Sequence, residues 1–288
     1  MSDDDSGGEL HLLGFASTIW HTIRFPNSWQ IPFGNVNAAA GHPDGFQAVA
    51  AAAVAGDLHV VGLTEGAFGS GGTIWHAIRR ADLTWQSFQN VNDLVGNPGG
   101  TIGFTACAVG AVGTDMHMIG RTVDVLGINP TIWHTIWHPD QTWQAWGNVS
   151  QVVGNPGGGP GDGPSNMAIT GVGDDLHLVS LDGSGTIWHT IRFSDQTWQS
   201  PFGNVSEVVG VPDGYNPFFA CAVTAVNDDL HLAAIASGTT GAEPTIFQTI
   251  RFAEATWQSP FGNVNQIVGD PSGQVFTAVA VAGVDAGY

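Results

Sequence analysis

The sequence predicts an all-β fold: a five-bladed β-propeller of four-stranded antiparallel blades, its ring closed by the C-terminal strand joining the N-terminal blade. Three observations predict it. First, two phrases recur along the 288 residues. One, of the form Thr-Ile-Trp-His-Thr-Ile, is centred on Trp20, Trp75, Trp133 and Trp188 and weakens to Phe247; the other, Trp-Gln with Asn-Val close behind, falls at Trp29, Trp85, Trp143, Trp198 and Trp257. A recurrence every 55 to 59 residues means one supersecondary unit per repeat. Second, each unit consists of short β-branched and aromatic runs separated by turn residues, with no sustained 3.6-residue apolar period. Third, the two ends complement each other. The first repeat opens at Glu9, already in its second strand, and Val275–Val284 carries the pattern of the missing first one.

The elements of one repeat follow in order. In Phe104–Gly154 the first run, Phe-Thr-Ala-Cys-Ala-Val-Gly-Ala-Val, is small and apolar, as are Ala48–Ala55 and Ala278–Ala282. Small residues suit the inner strand of a ring, where backbones crowd. Gly113, Thr114 and Asp115 turn the chain into a histidine-centred run, Met116–Arg121. A Gly/Asn/Pro loop leads to Thr131–Trp137, and Pro139-Asp140 turns into Thr142–Val149. Four such runs form an antiparallel meander. Gly-Asn-Val followed by Ser or Asn reads as turn and cap chemistry, opening at most one helical turn. A lone meander cannot bury both faces, but five around an axis can, with tryptophans filling the gaps where the outer strands diverge. The expected blades are residues 9–37 with 274–284, 45–93, 102–152, 165–208 and 217–267, in one domain of residues 9–288 behind a disordered acidic tail of residues 1–8.

Charge excludes some partners. The net charge is −19, from 25 acids against six arginines and no lysine. Such a chain repels a phosphate backbone, so no nucleic-acid partner is expected, nor an anionic membrane surface. No 18-residue apolar stretch exists and no membrane insertion is expected. The N-terminus, Met-Ser-Asp-Asp-Asp, lacks the basic and apolar regions of a signal peptide, so the protein is expected in the cytoplasm as synthesised, unless a non-classical route releases it. Cys107 and Cys221 occupy the same place in two repeats and read as small buried side chains rather than a disulfide.

The repeated polar residues are the candidate sites. An acid stands two residues before a histidine in every unit: Glu9/His11, Asp57/His59, Asp115/His117, Asp175/His177 and Asp229/His231. A metal would need three or four converging ligands, and no His-rich cluster occurs. The pairs therefore read as structural, the carboxylate holding the hairpin and the histidine ring N–H. No metal and no cofactor are expected. In the third strand, alternation puts Thr18, Trp20, Thr22 and Arg24 on one face and Ile19, His21, Ile23 and Phe25 on the other. The aliphatic face is core, its histidine a satisfied buried group. On the opposite face an arginine recurs as Arg24, Arg79, Arg192 and Arg251, with Trp137 in the third unit. An aromatic plate beside an arginine fork suits a sugar, the ring covering pyranose C–H groups and the guanidinium donating to oxygens. It equally suits a wedge between blades with arginine snorkelling to the surface, and the outer-strand tryptophans face the same choice.

A unit running apolar strand, Asp-Leu-His-Leu-Val, Gly-Thr-Ile-Trp-His-Thr-Ile, Thr-Trp-Gln…Phe-Gly resembles the repeat of bacterial propeller lectins of the Photorhabdus fucose-binding type. Five units, a number shared with tachylectin-like lectins, stand where that family has seven. The resemblance implies sugar sites in clefts between blades, involving Trp20, His21, Trp29, Trp75, His76, Trp85, Trp133, His134, Trp143, Trp188, His189 and Trp198. Strand alternation adds Arg24, Arg79 and Arg192. The expected function is a non-enzymatic, multivalent carbohydrate-binding protein for glycans such as fucose or related monosaccharides, with oligomerisation left open. The alternatives are a structural or protein-interaction scaffold without a sugar ligand and, third, a glycosidase. Against the last, Glu65, Asp93, Asp124 and Glu243, the acids outside the repeat, form no recognisable pair.

Overall fold

The computed structural model describes residues 10–16, 18–25, 28–41, 45–66, 72–100, 102–127, 129–157, 166–239, 243–269 and 276–283. The expected tail at residues 1–8 lies outside them. Five four-stranded antiparallel sheets stand in a ring, so the expected five-bladed propeller is what the chain forms. Blade one holds β1 (Leu10–Ala16), β2 (Thr18–Phe25), an outer strand in two pieces, β3 (Ser28–Trp29) and β4 (Gly34–Asn35), and α1 (Val36–Ala40). Blade two holds β5 (Phe46–Val54), β6 (Asp57–Thr64), β7 (Ile74–Arg79), β8 (Trp85–Asn90) and α2 (Val91–Val95). Blade three holds β9 (Phe104–Val112), β10 (Asp115–Thr122), β11 (Thr131–Trp137), β12 (Gly147–Asn148) and α3 (Val149–Val153). Blade four holds β13 (Asn166–Val172), β14 (Asp175–Leu181), β15 (Ile187–Arg192), β16 (Gly203–Asn204) and α4 (Val205–Val209). Blade five holds β17 (Tyr215–Val226), β18 (Asp229–Gly238), β19 (Thr245–Arg251), β20 (Gly262–Asn263) and α5 (Val264–Val268).

The outer strand is shorter than the sequence suggests. In blades three, four and five it touches the third strand at one tryptophan, as in Arg192↔Trp198, and again at the Gly-Asn pair. Pro201 and Pro260, which lack an N–H, interrupt it in blades four and five. Threonines of the third strand pin it instead: the hydroxyls of Thr22, Thr135, Thr190 and Thr249 donate to the carbonyls of Gln30, Gln144, Gln199 and Gln258 at 2.5–2.7 Å. The Asn-Val phrase is a helix start, as expected. Asn35, Asn90, Asn148, Asn204 and Asn263 each accept from the backbone N–H three residues on, one of the four donors a helix start leaves unpaired. The polar residue after the valine has a further job. Asn37, Asn92, Ser150, Ser206 and Asn265 accept the first isoleucine N–H of the third strand, at 2.8–3.1 Å. Each one-turn helix is thereby fixed over the strand that carries the Trp-His phrase.

Inner strands crowd at the axis, as their small residues require. A Cβ at Gly171 of β13 would run into the carbonyl oxygen of Ala111 in β9, and one at Gly283 into that of Ala225 in β17. Ala111, Gly171 and Ala225 are equivalent repeat positions, so residues 276–283 sit on β17 as each inner strand sits on the one before it. The Gly283 N–H also donates to the Thr224 hydroxyl at 2.7 Å. The closing segment thus takes the inner place beyond β17, but residues 276–283 form a seat rather than an assigned strand. Pairing with β1 is not among the bonds of the described residues, and Val275 and Val284 lie outside them. The side chains beside this seam differ accordingly. Leu12 of blade one is 44 % exposed, whereas its blade-two equivalent Val60 is fully buried.

The cysteines are free; Cys221 is buried and donates to Asn166 Oδ1 at 3.1 Å, and burial pushes both thiols up to about 12. Among the described residues no helix is long and apolar enough to cross a membrane.

Candidate functional site

The Ile/His face of blades one to four packs on the Trp/Thr/Arg face of the blade that follows. Ile19 and Val36 of blade one cluster with Leu58, Val60 and Ala77 of blade two, and Ile132 and Val149 of blade three with Leu176 and Leu178 of blade four. Strand alternation thus delivers the two faces to opposite walls of one cleft, repeated at the four junctions from blade one to blade five.

The back wall is a pair of histidines. His11 Nδ1 lies 2.8 Å from His21 Nε2, and the same atoms meet at 3.0 Å in His59/His76, 3.0 Å in His117/His134 and 3.1 Å in His177/His189. In blade five Gln248 stands at the second position. His21, His59, His76, His117, His134, His177 and His189 are neutral at pH 7. Burial, then His11 and Arg79, brings His21 down to about 4. Burial likewise brings His59, His117 and His177 to about 4 and drives His76, His134 and His189 well below the ordinary histidine value. His76 Nδ1 has no hydrogen-bond partner. A buried N–H without an acceptor costs more than a bare lone pair, so His76 carries its proton on Nε2 and donates to His59 Nδ1.

Among the described residues, the acid two residues before the histidine is not hydrogen-bonded to that ring. Asp57, Asp175 and Asp229 instead accept the backbone N–H of Ala81, Ser194 and Ala253 at 2.8–2.9 Å, and Asp115 pairs with His138 at 3.2 Å. The ring nitrogens find each other because diagonal positions on adjacent strands face the same way, as His59 opposite Ile78 and His76 opposite Val61 show.

The front wall comes from the next blade. Arg79 is cross-strand partner to Trp85, Arg192 to Trp198 and Arg251 to Trp257, which puts guanidinium and indole side by side on one face. The indole stands edge-on to the histidine across the cleft: His21–Trp85 at 5.9 Å, His134–Trp198 at 5.6 Å, His189–Trp257 at 5.6 Å. Between blades one and two the cavity holds about 390 Å³, with His21, Gln30 and Asn35 on one side and Arg79, Leu83 and Trp85 on the other. Between blades three and four, Arg192 divides two lobes. One of about 150 Å³ is lined by His134, Gln144, Asn148, Gln196 and Trp198, and one of about 450 Å³ by Asp115, His117, His138 and Asp174. Between blades four and five a cavity of about 310 Å³ is lined by Asp175, His177, Phe193, Asp228 and Arg251.

The expected residues divide sharply. His21, Arg79 and Trp85 come together in the first cleft, His134, Arg192 and Trp198 in the third, and His189 meets Trp257 in the fourth. The third-strand tryptophans are wedges. Trp75, Trp133 and Trp188 pack into the inter-blade clusters and donate their indole N–H to Thr64, Thr122 and Asp182 at 2.9–3.3 Å. Trp20, Arg24 and Trp29 are exposed at the seam between blades five and one. In the second cleft His76 and Trp143 stand 5.4 Å apart beside Trp137, which occupies the arginine position and is only 4 % exposed. Sequence reasoning missed Gln30, Gln144 and Gln196. The first two follow the outer-strand tryptophan or its equivalent in each unit. Gln196 is turned into the cleft by a left-handed backbone (φ 73°), which no spacing reveals. Among the described residues no group of three or more His, Cys, Asp or Glu side chains could hold a metal ion.

Meanders closing on an axis with crevices between them define this molecule as a five-bladed β-propeller. No family model matches the chain, and no curated protein matches it in sequence. Solved structures share its fold. The Aleuria aurantia lectin, a six-bladed propeller with a novel fucose recognition mode, is 13 % identical with a TM-score of 0.57, over 96 % of this chain and 82 % of that one. A mutant of AofleA from Arthrobotrys oligospora gives 12 %, 0.58, 89 % and 69 %, and the lectin BP39L from Burkholderia pseudomallei 15 %, 0.54, 89 % and 66 %. At these identities the likeness is one of fold.

Proposed function

We propose that the protein is a multivalent carbohydrate-binding protein, with sugars held in clefts between adjacent blades and no chemistry performed on them. The carrying observation is the cross-strand Arg–Trp pair facing a neutral histidine across a cavity, at Arg79/Trp85 and again at Arg192/Trp198. Trp85 and Trp198 offer an apolar ring for pyranose C–H groups, the arginines donate to sugar oxygens, and Gln30, Gln144 and Asn148 supply amides. Fold neighbours named as lectins, one of them crystallised with a fucosylated disaccharide, support the class and make fucose and related monosaccharides the first panel.

Repetition favours binding over catalysis. Glycoside hydrolysis needs two carboxylates in distinct roles, whereas Asp115 and Asp175 are repeat-equivalent and engaged with the turns beside them. A single cleft of this kind binds at ~0.1–1 mM, and several on one rigid ring gain ~10²-fold on a dense glycan surface. A glycan array probed with labelled protein should therefore show density-dependent binding. Trp85→Ala and Trp198→Ala should each remove one site from folded protein, while Trp75→Ala and Trp188→Ala should lower stability instead. Silence across a broad array would end this reading.

A further inference from the structure

We infer that the clefts are built for a sugar bearing a negative group, a hexuronic acid or another carboxylate-carrying glycan residue, whose anion closes on the cleft arginine. The inference rests on the carbohydrate reading above and specifies its ligand class. Arg79 and Arg192 are each only 8 % exposed. Among the described residues neither has an ion pair or a hydrogen bond to a side chain. Their neighbour Arg80 marks the contrast. Its side chain is 30 % exposed and yet fully paired, donating to Asp57 and to Gln86 at 2.8 Å each. The nearby acid therefore goes to the arginine that needs it least, and the one that lines the cavity is left bare.

A guanidinium turned into a cleft without a close counter-charge is costly, and the first cleft supplies none. The described lining between blades one and two contains no carboxylate; His21 is uncharged at pH 7, and Gln30 and Asn35 are neutral amides. The 150 Å³ lobe beside Arg192 is likewise free of acids, lined by His134, Gln144, Asn148, Gln196 and Trp198. Two acids, Asp115 and Asp174, line the other lobe beside Arg192, and Asp115, 3.2 Å from His138, also favours the charged form of Arg192. The first cleft is therefore the strongest anion site and the third the next. A sugar hydroxyl can accept one guanidinium N–H without neutralising it. A carboxylate accepts two in a matched fork and cancels the charge. The −19 net charge repels an anion at long range, but at ~0.15 M salt that repulsion is screened beyond about 8 Å, and contact inside the cleft decides affinity.

The test is titration of the intact protein at pH 7 and ~0.15 M salt with methyl glucuronide against methyl glucoside and methyl galacturonide against methyl galactoside, read by calorimetry and tryptophan fluorescence, with acetate as a sugar-free anion. At least one uronide should bind about tenfold or more tighter than its neutral partner. In Arg79→Gln/Arg192→Gln, checked for an unchanged thermal midpoint, that ratio should fall to about one. Neutral sugars binding as tightly as uronides overturn the inference and leave the carbohydrate reading standing. Saturable acetate binding with no sugar binding overturns the carbohydrate reading and keeps the anion site. No binding by any of these probes overturns both.

Discussion

The cleft between blades two and three and the one between blades three and four share a frame. Each has a histidine pair on its back wall, at 3.0 Å in both, and an outer-strand tryptophan edge-on to the nearer ring, at 5.4 Å and 5.6 Å. They part at the last residue of the third strand. Arg192 leaves open lobes on either side of itself. Trp137 packs among Val61, Ile78, Met116 and Met118, with its ring 4.6 Å from His59 and 6.1 Å from His76. The frame accepts either residue because hydrogen bonds and aliphatic packing elsewhere in the blade hold it. That one position decides whether the gap is core or cavity, so function is to be sought where the repeat changes rather than where it is most regular.

The largest expected effect tests whether this difference is real in energy. Trp137→Ala removes a buried ring that the second cleft is packed around and should cost about 3–5 kcal/mol. Arg192→Met removes a cleft charge that burial disfavours and Asp115 partly offsets, while keeping volume, and should leave stability within about 1 kcal/mol of the parent. Chemical denaturation of both variants reads the two values directly. Equal losses at the two positions would make both clefts structural and dissolve the contrast.

The converse exchange sharpens it. Trp137→Arg puts the third cleft's residue into the second, beside a histidine pair and Trp143 already in place. Stability should fall, and the number of sugars bound per chain in calorimetry should rise by one. A folded Trp137→Arg protein with unchanged stoichiometry would show that more than this position separates an open cleft from a filled one.

The fold was legible because the repeat states it five times: small inner strands, turn residues, the Trp-His strand and the Asn-Val helix start each correspond to an observed element. The site was only half legible. Alternation correctly put His21 and its equivalents in the core and Arg79 on the opposite face, but it could not say which of the two tryptophans on that face reaches the cavity. The answer lies in register. Arg79 pairs with Trp85 at the cleft, whereas Trp75 pairs with Gly62 in the strand behind and Asn90 in front and spends its indole N–H on Thr64. The acid–histidine pairs hold turns, as expected, but the contact expected between acid and ring is absent among the described residues for a similar reason. Two residues apart on one strand, they share a face, but the partner of each lies on the neighbouring strand, and cross-strand diagonals are invisible until register is known.

The smallest expected effect separates the clefts by pH. The buried histidines have folded values below the unfolded 6.5: about 4 for His21, His59, His117 and His177, and lower still for His76, His134 and His189. Between those values and 6.5 the unfolded chain binds more protons than the folded one, so stability is level above about 6.5 and falls as the pH drops toward 4. Burial is the first cause everywhere, but the clefts differ in the second. Arg192 presses His117 down, and it acts on His134 after His117 does, whereas Asp57 beside His59 works in the opposite direction. Removing the charge in Arg192→Met should let His117 and His134 titrate nearer 6.5 and make the acid-side loss shallower than in the parent protein. Thermal melts at pH 7.5, 6 and 5 measure both slopes. Identical slopes would mean that burial alone holds the third cleft's histidines neutral and that the arginine, though in the same crevice, does not act on them.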